Sequence, residues 1–280
     1  MKLAVTGASG FLGRHVLREL GRRDVEVVAV SRSVPEAMLP SNVRHLPLDI
    51  GDAGSDPHAR MCRPDALIHL AWGGLPNYLS RHHFECELPR HYQFLKRMVE
   101  GGLKSVLVTG TCFEYGRQSG ELCETMPAAP TNPYGFSKDA LYRQLKFLQS
   151  DRDFSLTWSR LFYMFGDGQS PSSIYSLLRT AIRRGDRQFP MSGGEQLRDF
   201  LPVEKVAEYL VDLALLRMDT GIVNVCSGQP VSVRTLVEGW VATAGSDIEL
   251  DLGRYPYPSY EPLAFWGSSA KREQLLDPKS

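Results

Sequence analysis

The stretch that decides the fold is Lys2-Leu-Ala-Val-Thr-Gly-Ala-Ser-Gly-Phe-Leu-Gly13, near the start of a chain of 280 residues. A short apolar run comes first, then three glycines with the spacing GxxGxxG, then an amphipathic pattern of helical period. A strand that turns directly into a helix presents backbone N–H groups to a pyrophosphate, and glycine permits its close approach. This context predicts a dinucleotide-binding turn rather than a glycine-rich turn without a ligand. The residues expected to contact the nucleotide here are Gly7, Ser9, Gly10, Phe11, Leu12 and Gly13.

The ends of the next two strands bear on which dinucleotide binds. The second apolar run ends at Ser31 and Arg32, where dinucleotide folds often carry an acidic residue that binds the adenosine ribose. Because no acid is present and a guanidinium can bind a 2′-phosphate, we predict NADP, with NAD possible; an arginine merely exposed at a strand end is the alternative. Asp49, with Ile50 beside it, could accept a hydrogen bond from the adenine amino group or be an ordinary turn residue.

Short β-branched runs alternate with longer amphipathic segments. We predict strands at 3–6, 26–31, 43–47, 66–70, 105–109 and 155–161, and helices at 11–22, 84–101 and 134–150. This order, with continuously apolar strands, predicts an α/β fold with a Rossmann-type doubly wound parallel sheet. We expect a dinucleotide-binding domain at 1–165 and a smaller, mainly substrate-binding lobe at 166–280. Within that lobe, 203–226 should return to the main domain as a helix (203–216) and a strand (222–225).

Composition excludes several classes of function. The 32 Lys and Arg residues balance 32 Asp and Glu, so no net field favours nucleic acid or an anionic membrane, and neither is predicted as a partner. The five cysteines form an odd set without a CxxC pair, which argues against a disulfide framework and against a metal site. No apolar stretch reaches the roughly 18–20 residues of a membrane span, and no leader-like segment precedes the first strand. We therefore expect a cytoplasmic protein.

A phenol and an ammonium lie four residues apart in Tyr134-Gly-Phe-Ser-Lys138, on one face of a predicted helix. A lysine cation near a phenol stabilises the phenolate, so Tyr134 could exchange a proton with a substrate oxygen. Lys138 could also hydrogen-bond the ribose next to the nicotinamide. Thr111 lies at the end of the preceding strand, where its hydroxyl could bond the same oxygen, and we place Thr109 beside the cofactor.

These motifs together resemble the extended short-chain dehydrogenase/reductases, which mostly act on nucleotide-linked sugars. The resemblance covers about residues 1–240 and rests on Thr6-Gly7-Ala-Ser-Gly10-Phe-Leu-Gly13, His69-Leu-Ala-Trp72, Tyr115-Gly116, Asn132-Pro-Tyr134-Gly-Phe-Ser-Lys138 and Arg198-Asp-Phe200. It implies that Thr111, Tyr134 and Lys138 form the catalytic triad. It also implies that Leu70 and Ala71 line the cofactor, with Trp72 next to them. Arg198 would contact the nucleotide diphosphate, unless it is an ordinary surface arginine.

Departures from the family pattern narrow the expected reaction. In sugar-nucleotide 4,6-dehydratases the catalytic Thr is followed by Asp-Glu, but here Cys112 and Phe113 follow Thr111. GDP-fucose synthases carry a cysteine two places after the catalytic serine, where Phe113 is found here. The resemblance therefore implies reduction of the C4 ketone of a dTDP- or CDP-linked 4-keto-6-deoxy sugar, in the synthesis of deoxysugar or polysaccharide precursors. A UDP-hexose 4-epimerase and a catalytically silent dinucleotide-binding sensor are the alternatives.

The nucleotide-sugar substrate is the expected small-molecule partner. Candidate contacts to it are Trp72, Asn77, Tyr78, Cys112, Phe113, Glu114, Tyr163 and Arg198. Cys112 also fits a small semi-buried filler, and the aromatic residues also fit core packing. The loop Tyr255-Pro-Tyr-Pro-Ser-Tyr260 could stack on a nucleobase, form part of a lid, or be a packed surface loop. Family members commonly pair the helices at 84–101 and 134–150 across a dimer, so we predict a homodimer.

Overall fold

Strands and helices alternate along residues 1–33, 39–257 and 261–277, the part of the chain described by a computed structural model. The strands are β1 (Lys2–Thr6), β2 (Glu26–Ser31), β3 (Val43–Pro47), β4 (Ala66–His69), β5 (Ser105–Thr111), β6 (Gly120–Leu122), β7 (Ser155–Leu161), β8 (Tyr163–Phe165), β9 (Gln188–Pro190), β10 (Leu197–Arg198), β11 (Phe200–Pro202), β12 (Gly221–Val225), β13 (Val231–Ser232), β14 (Glu249–Asp251) and β15 (Phe265–Gly267). The α-helices are α1 (Phe11–Leu20), α2 (Pro57–Arg60), α3 (Leu88–Glu100), α4 (Pro133–Asp151), α5 (Ile174–Arg184), α6 (Val203–Leu216), α7 (Val233–Thr243) and α8 (Ala270–Leu276).

The centre of the fold is a seven-stranded parallel sheet in the order β12-β7-β5-β4-β1-β2-β3. The chain moves outward in one direction from β1 through β2 to β3, then crosses back and continues in the other direction from β4. Ligands of such sheets bind outside the carboxyl ends of the strands, at this switch point. The doubly wound Rossmann-type sheet predicted from the sequence is confirmed.

Helices cover both faces of the sheet, and each face has its own apolar core. On one face α1 and α6 pack over Leu3 and Val5 of β1; on the other, α3 and α4 pack over Ala4. Because side chains alternate across a strand, burial of both faces makes the strands continuously apolar in sequence. Leu141 and Leu145 of α4 are fully buried in the second core.

Two element boundaries differ from the sequence prediction in ways that shape the site. The helix expected at 84–101 is instead a π-helical turn, His83–Glu87, followed by α3. Pro89 explains the break because proline lacks an N–H and is tolerated only in the first turn of a helix. The second difference is that β5 continues two residues beyond the predicted end at 109, so that Thr111 is its last residue.

The carboxyl-terminal part contains short strand pairs and a small core of its own. That core lies between α5, α7, β9 and β14, and includes Leu178, Phe189, Val237 and Ile248. Between β9 and α7 the chain returns to the main domain, where α6 packs on α1 and β12 pairs with β7. We retain the division into 1–165 and 166–280 as a proposal. Within the described ranges, no helix has the length and apolar character that a membrane span requires.

Candidate functional site

A cleft of about 510 Å³ opens at the carboxyl ends of β1, β2 and β4. Its lining includes ten of the residues predicted to bind the cofactor: Gly7, Ser9, Gly10, Ser31, Arg32, Asp49, Ile50, Leu70, Ala71 and Trp72. Sequence reasoning missed the other lining residues, which are Val30, Leu48, Gly73, Gly74, His82, Glu87, Arg90 and His91. The cleft therefore lies at the switch point of the sheet, beside the glycine-rich turn.

The glycine-rich turn is sterically constrained at two of its glycines and open at the third. Gly7 has a φ of +70°, and a Cβ there would lie 2.7 Å from the backbone nitrogen of Ala71. A Cβ on Gly13 would lie 2.2 Å from the carbonyl oxygen of Gly7, so only glycine lets α1 begin this close to β1. A Cβ on Gly10 would touch only that carbonyl, at 3.2 Å, and would otherwise project into open space. The turn therefore leaves room for a phosphate in front of the first turn of α1.

Six residues predicted for the cofactor do not line the cleft: Phe11, Leu12, Gly13, Thr109, Tyr134 and Lys138. Leu12 packs against the core below the turn. The ring of Phe11 lies edge-on to His15, with centroids 5.7 Å apart. Thr109 is buried behind the cleft and accepts a hydrogen bond through its backbone oxygen. Their contact with a nucleotide remains a prediction.

Charged groups gather at the end of the cleft formed by β2 and β3. Arg32 lines the cleft there, and Ser31 donates a hydrogen bond to the backbone oxygen of Ser33. Asp49 forms an ion pair with Arg90 of α3, which sequence reasoning had not named. Partial burial raises the pKa of Asp49, but the Gly51 N–H and Arg90 outweigh it and hold the pKa below its ordinary value. Two guanidinium groups and one carboxylate therefore frame this end of the cleft.

Thr111, Tyr134 and Lys138 come together where β5 ends against α4. Asn132 caps α4 by accepting from the Gly135 N–H, which places Tyr134 in the first turn. Thr111 lies close enough to the Tyr134 hydroxyl to lower its pKa. Lys138 Nζ donates to the backbone oxygen of Thr109 at 2.7 Å and lies 5.9 Å from the centroid of the Tyr134 ring.

The protonation of this group differs from the sequence expectation. We expected the ammonium to stabilise the Tyr134 phenolate, but burial raises the pKa of Tyr134 far above its ordinary value, and Thr111 only partly offsets the rise. Burial also lowers the pKa of Lys138 to about 7, while Glu114 and Glu87 act in the opposite direction. Desolvation is the largest cause of both shifts, because a buried site disfavours any charged form. Burial therefore favours the protonated form of the Tyr134 phenol.

Aromatic rings surround the phenol of Tyr134. The centroids of Trp72, Tyr78, His83 and Phe113 lie 6.1, 5.6, 5.3 and 6.5 Å from that of Tyr134. Phe113 and Tyr78 also contact each other, at 5.0 Å. The side chain of Asn77 is exposed, and its backbone oxygen accepts a hydrogen bond from His83. Trp72, Tyr78 and Phe113 are thus candidate contacts that lie next to the triad.

Glu114, predicted as a substrate contact, is instead a core residue. Its side chain is fully buried, and its carboxylate accepts from the Thr111 N–H at 2.8 Å, Trp158 Nε1 at 3.0 Å and Arg160 Nε at 2.7 Å. Burial raises the pKa of Glu114, which Arg160 opposes. All three partners donate, so the surroundings suit a carboxylate anion. Glu114 holds the end of β5 in place and does not face the cleft.

Cys112, a second predicted substrate contact, is also buried. It packs in an apolar cluster with Tyr115, Leu122, Phe162 and Cys226, and burial raises the pKa of its thiol. A thiol in such surroundings stays protonated and is a poor acid or base at neutral pH. The structure therefore favours the filler interpretation of Cys112.

Arg198 is the third predicted contact that the structure corrects. It is 4% exposed, and all five of its N–H groups are used. They donate to the Glu261 carboxylate and to the backbone oxygens of Leu197, Pro262 and Leu263. In this arrangement the guanidinium has no donor left for a diphosphate.

Tyr163 packs near Arg198, and the structure describes only the first part of the tyrosine-rich loop. The ring centroid of Tyr163 is 6.0 Å from the Arg198 guanidinium carbon, and its hydroxyl is buried. In the loop at 255–260, Tyr255 is exposed and Tyr257 hydrogen-bonds Glu195. Tyr260, the third ring of this loop, falls outside the described residues.

A buried chain of polar side chains, absent from the sequence predictions, runs under the cleft. Thr6 Oγ1 lies 2.7 Å from His69 Nδ1, His69 Nε2 lies 2.7 Å from His91 Nδ1, and His91 Nε2 lies 3.0 Å from Glu87. At its outer end, His82 Nε2 lies 3.0 Å from Glu87. The sequence feature that could have revealed it is the four-residue spacing of Glu87 and His91, which places them on one face of a helical segment.

Comparison with known proteins agrees with this geometry. The sequence model of the NAD dependent epimerase/dehydratase family matches residues 3–226. A dTDP-6-deoxy-L-talose 4-dehydrogenase (NAD(+)) from Aggregatibacter actinomycetemcomitans is 31% identical over 272 residues, which is 96% of this chain and 100% of that protein. A UDP-glucose 4-epimerase from Halalkalibacterium halodurans is 25% identical over 301 residues, covering 99% of this chain and 90% of that protein.

Among solved structures, MoeE5 in complex with UDP-glucose and NAD is similar in both fold and sequence. It superposes with a TM-score of 0.81 at 27% identity, covering 99% of this chain and 92% of that chain. The glycine-rich turn, the cleft at the switch point and the Thr111–Tyr134–Lys138 group all lie within the matched residues. The chain therefore belongs to the NAD dependent epimerase/dehydratase family, the extended short-chain dehydrogenase/reductase group that its sequence motifs resemble.

Proposed function

We propose that this protein reduces the C4 ketone of a nucleotide-linked 4-keto-6-deoxy sugar, with a nicotinamide dinucleotide as the reductant. The observation that carries the proposal is the buried Tyr134 phenol, which lies beside Thr111 and Lys138 next to the cleft. A ketone that accepts hydride must also receive a proton, and the Tyr134 hydroxyl, which stays protonated because burial raises its pKa, is the group we propose to give it. The two positions after Thr111 add no acid or base, because Cys112 is buried and Phe113 is apolar.

The residues of the cleft suit a dinucleotide. The open space at Gly10, in front of the first turn of α1, fits a pyrophosphate, and Arg32 and Asp49 lie where the adenosine end would follow. A dihydronicotinamide bound in this cleft would supply the hydride. Tyr134 donates its proton to the C4 oxygen, Thr111 polarises the same carbonyl, and Lys138 orients the ribose. The aromatic rings around Tyr134 exclude water from that oxygen.

The relatives support a reaction at C4, and the cofactor named with them is NAD. The relative at 31% identity is named as a 4-dehydrogenase and as NAD(+)-dependent. Oxidation and reduction at C4 use the same groups in opposite directions, so that name is compatible with ketoreduction. For this chain we propose that NADPH is accepted as well as NADH, because Arg32 borders the cleft and no carboxylate occupies positions 31 or 32.

The decisive experiment follows oxidation of NADH and of NADPH by the purified protein, with dTDP- and CDP-4-keto-6-deoxyglucose as substrates. We expect stoichiometric oxidation of the cofactor and a 6-deoxyhexose product, with Tyr134→Phe inactive. Interconversion of UDP-glucose and UDP-galactose without net cofactor oxidation would instead support the epimerase alternative. Cofactor binding without turnover of any sugar nucleotide in the panel would favour the sensor.

A homodimer remains part of the proposal. On α4, Phe136 and Phe147 are 51% and 76% exposed and lie three turns apart on one side of the helix. Phe84 packs edge-on against Phe136, with centroids 6.3 Å apart. Large exposed rings along a helix are typical of a contact surface, and a second copy of the chain is the partner we propose for it. We also propose that the protein is cytoplasmic.

A further inference from the structure

The polar chain beneath the cleft has a defined direction. Burial raises the pKa of Glu87, but hydrogen bonds from His91, the Gly73 N–H and His82 outweigh it and lower the pKa to about 2. The Glu87 carboxylate can therefore only accept, so His91 Nε2–H donates to it and His91 Nδ1 accepts from His69. His69 Nδ1 in turn accepts from the Thr6 hydroxyl. Each imidazole is neutral in this arrangement and has a single tautomer.

Burial is consistent with that assignment. Thr6 and His69 are 0% exposed, His91 is 1% exposed and Glu87 is 3% exposed. Burial lowers the pKa of His69 well below its ordinary value and that of His91 to about 4. The charged groups facing His91 are Glu87 and Arg90 from its own helical segment and Lys138 from α4.

Trp72 connects this chain to the triad. Its ring is stacked on His91, with centroids 4.5 Å apart and an interplanar angle of 16°. Lys138 Nζ lies 4.0 Å from the Trp72 ring centroid. Because His91 covers one face of the Trp72 ring, the ammonium lies over the other face. Trp72 Nε1–H donates to His83 at 3.1 Å, which holds the edge of the indole. Trp72 is thus fixed on both faces and at its polar edge.

We propose that Glu87 and His91 are positioning residues: through the fixed Trp72 ring they set the location of Lys138, and with it the nicotinamide end of the cleft. The assignment rests on the proposed function, because Lys138 is there the residue that orients the ribose. Glu87 acts in a second way through its charge, since its carboxylate is one of the two that raise the pKa of Lys138. Neither Glu87 nor His91 is a candidate substrate contact, so the effect falls mainly on turnover, with a smaller effect on sugar affinity through Trp72.

The test compares Glu87→Gln with Glu85→Gln, a control on the same helical turn whose side chain is exposed. A glutamine replaces one carboxylate oxygen by an NH2 donor, so a donor faces either His82 or the pair of His91 and the Gly73 N–H, and the negative charge is lost. We expect kcat to fall between about tenfold and 100-fold, with a smaller change in the KM for the sugar nucleotide. The alkaline limb of the pH profile should move to lower pH, because Lys138 loses a stabilising charge. Glu85→Gln should match the wild type in each measurement.

A second variant and a second measurement separate this role from simple stability. His91→Phe keeps a ring against Trp72 but removes the hydrogen bonds, and it too should lower kcat while leaving the alkaline limb in place. In the ligand-free protein, Glu87→Gln should change the tryptophan emission, and the change should vanish in a Trp72→Phe background. Wild-type kcat and pH profile in Glu87→Gln would overturn the proposal, whatever its melting temperature. If the wild type reduces no keto sugar, the Trp72 emission still decides: a change supports the positioning chain, and no change overturns it.

Discussion

Replacing Glu114 by Gln tests whether this carboxylate supports the fold or binds substrate. In the structure its oxygens accept hydrogen bonds from three donors, one of them Arg160, whose side chain is 1% exposed. Glutamine has the same shape but no charge, so the buried Arg160 guanidinium would lose its counter-ion. One of its nitrogens, Nη1, already has no hydrogen-bond partner.

The expected loss of stability follows from burial. An exposed ion pair contributes about 0–1 kcal/mol, whereas removing one partner of a buried pair costs about 3–5 kcal/mol because the other charge is left uncompensated. For a chain of this size we therefore expect the melting temperature to fall by roughly 10 °C. This loss is a large share of the about 5–15 kcal/mol that stabilises a typical domain. Enough protein should remain folded at 20 °C for kinetics.

Urea unfolding and steady-state kinetics measure the two possible roles separately. Glu121→Gln, an exposed carboxylate a few residues further along, is the matched control and should unfold like the wild type. We expect Glu114→Gln to unfold at lower urea with the KM for the sugar nucleotide unchanged. Wild-type unfolding together with a raised KM would refute the reasoning, since it would mean that Glu114 faces the substrate.

Four further predictions concern the site and its assembly. Tyr134→Phe should lower kcat by about 10²–10⁴-fold while cofactor binding, measured by fluorescence, persists; unchanged turnover would remove the phenol from the mechanism. Arg32→Ala should weaken NADPH about 10–100-fold and leave NADH unaffected, as measured by the two kcat/KM values; equal losses would exclude a 2′-phosphate contact. Burial lowers the pKa of Lys138 to about 7, so its protonated fraction falls from about 90% at pH 6 to about 10% at pH 8. We therefore expect kcat/KM to decline over this range, and a flat pH profile would contradict a need for the ammonium. Phe147→Glu should shift the particle from dimer to monomer in light scattering, and an unchanged mass would place any contact elsewhere.

The sequence alone determined the features that depend on neighbours within one or two turns of chain. The glycine spacing after an apolar strand predicted the turn that contains Gly7 and Gly13, and the four-residue spacing placed Tyr134 and Lys138 on one helix face. Such patterns can be recognised in the sequence because strand and helix periodicities involve residues that are close along the chain, and because glycine is required where backbone segments touch. The order of strands and helices then sufficed for the fold class.

Tertiary structure alone decided which polar side chains face the cleft. Glu114 is turned inward because the pairing of β5 with β7 brings Trp158 and Arg160 against it, from 44 and 46 residues away in the chain. Arg198 is occupied by Glu261, which is 63 residues distant. The hydrogen-bonded side chains of Thr6, His69 and His91 likewise connect β1, β4 and α3. Burial then sets their protonation, since desolvation depends on everything packed around a group and not on its neighbours in sequence.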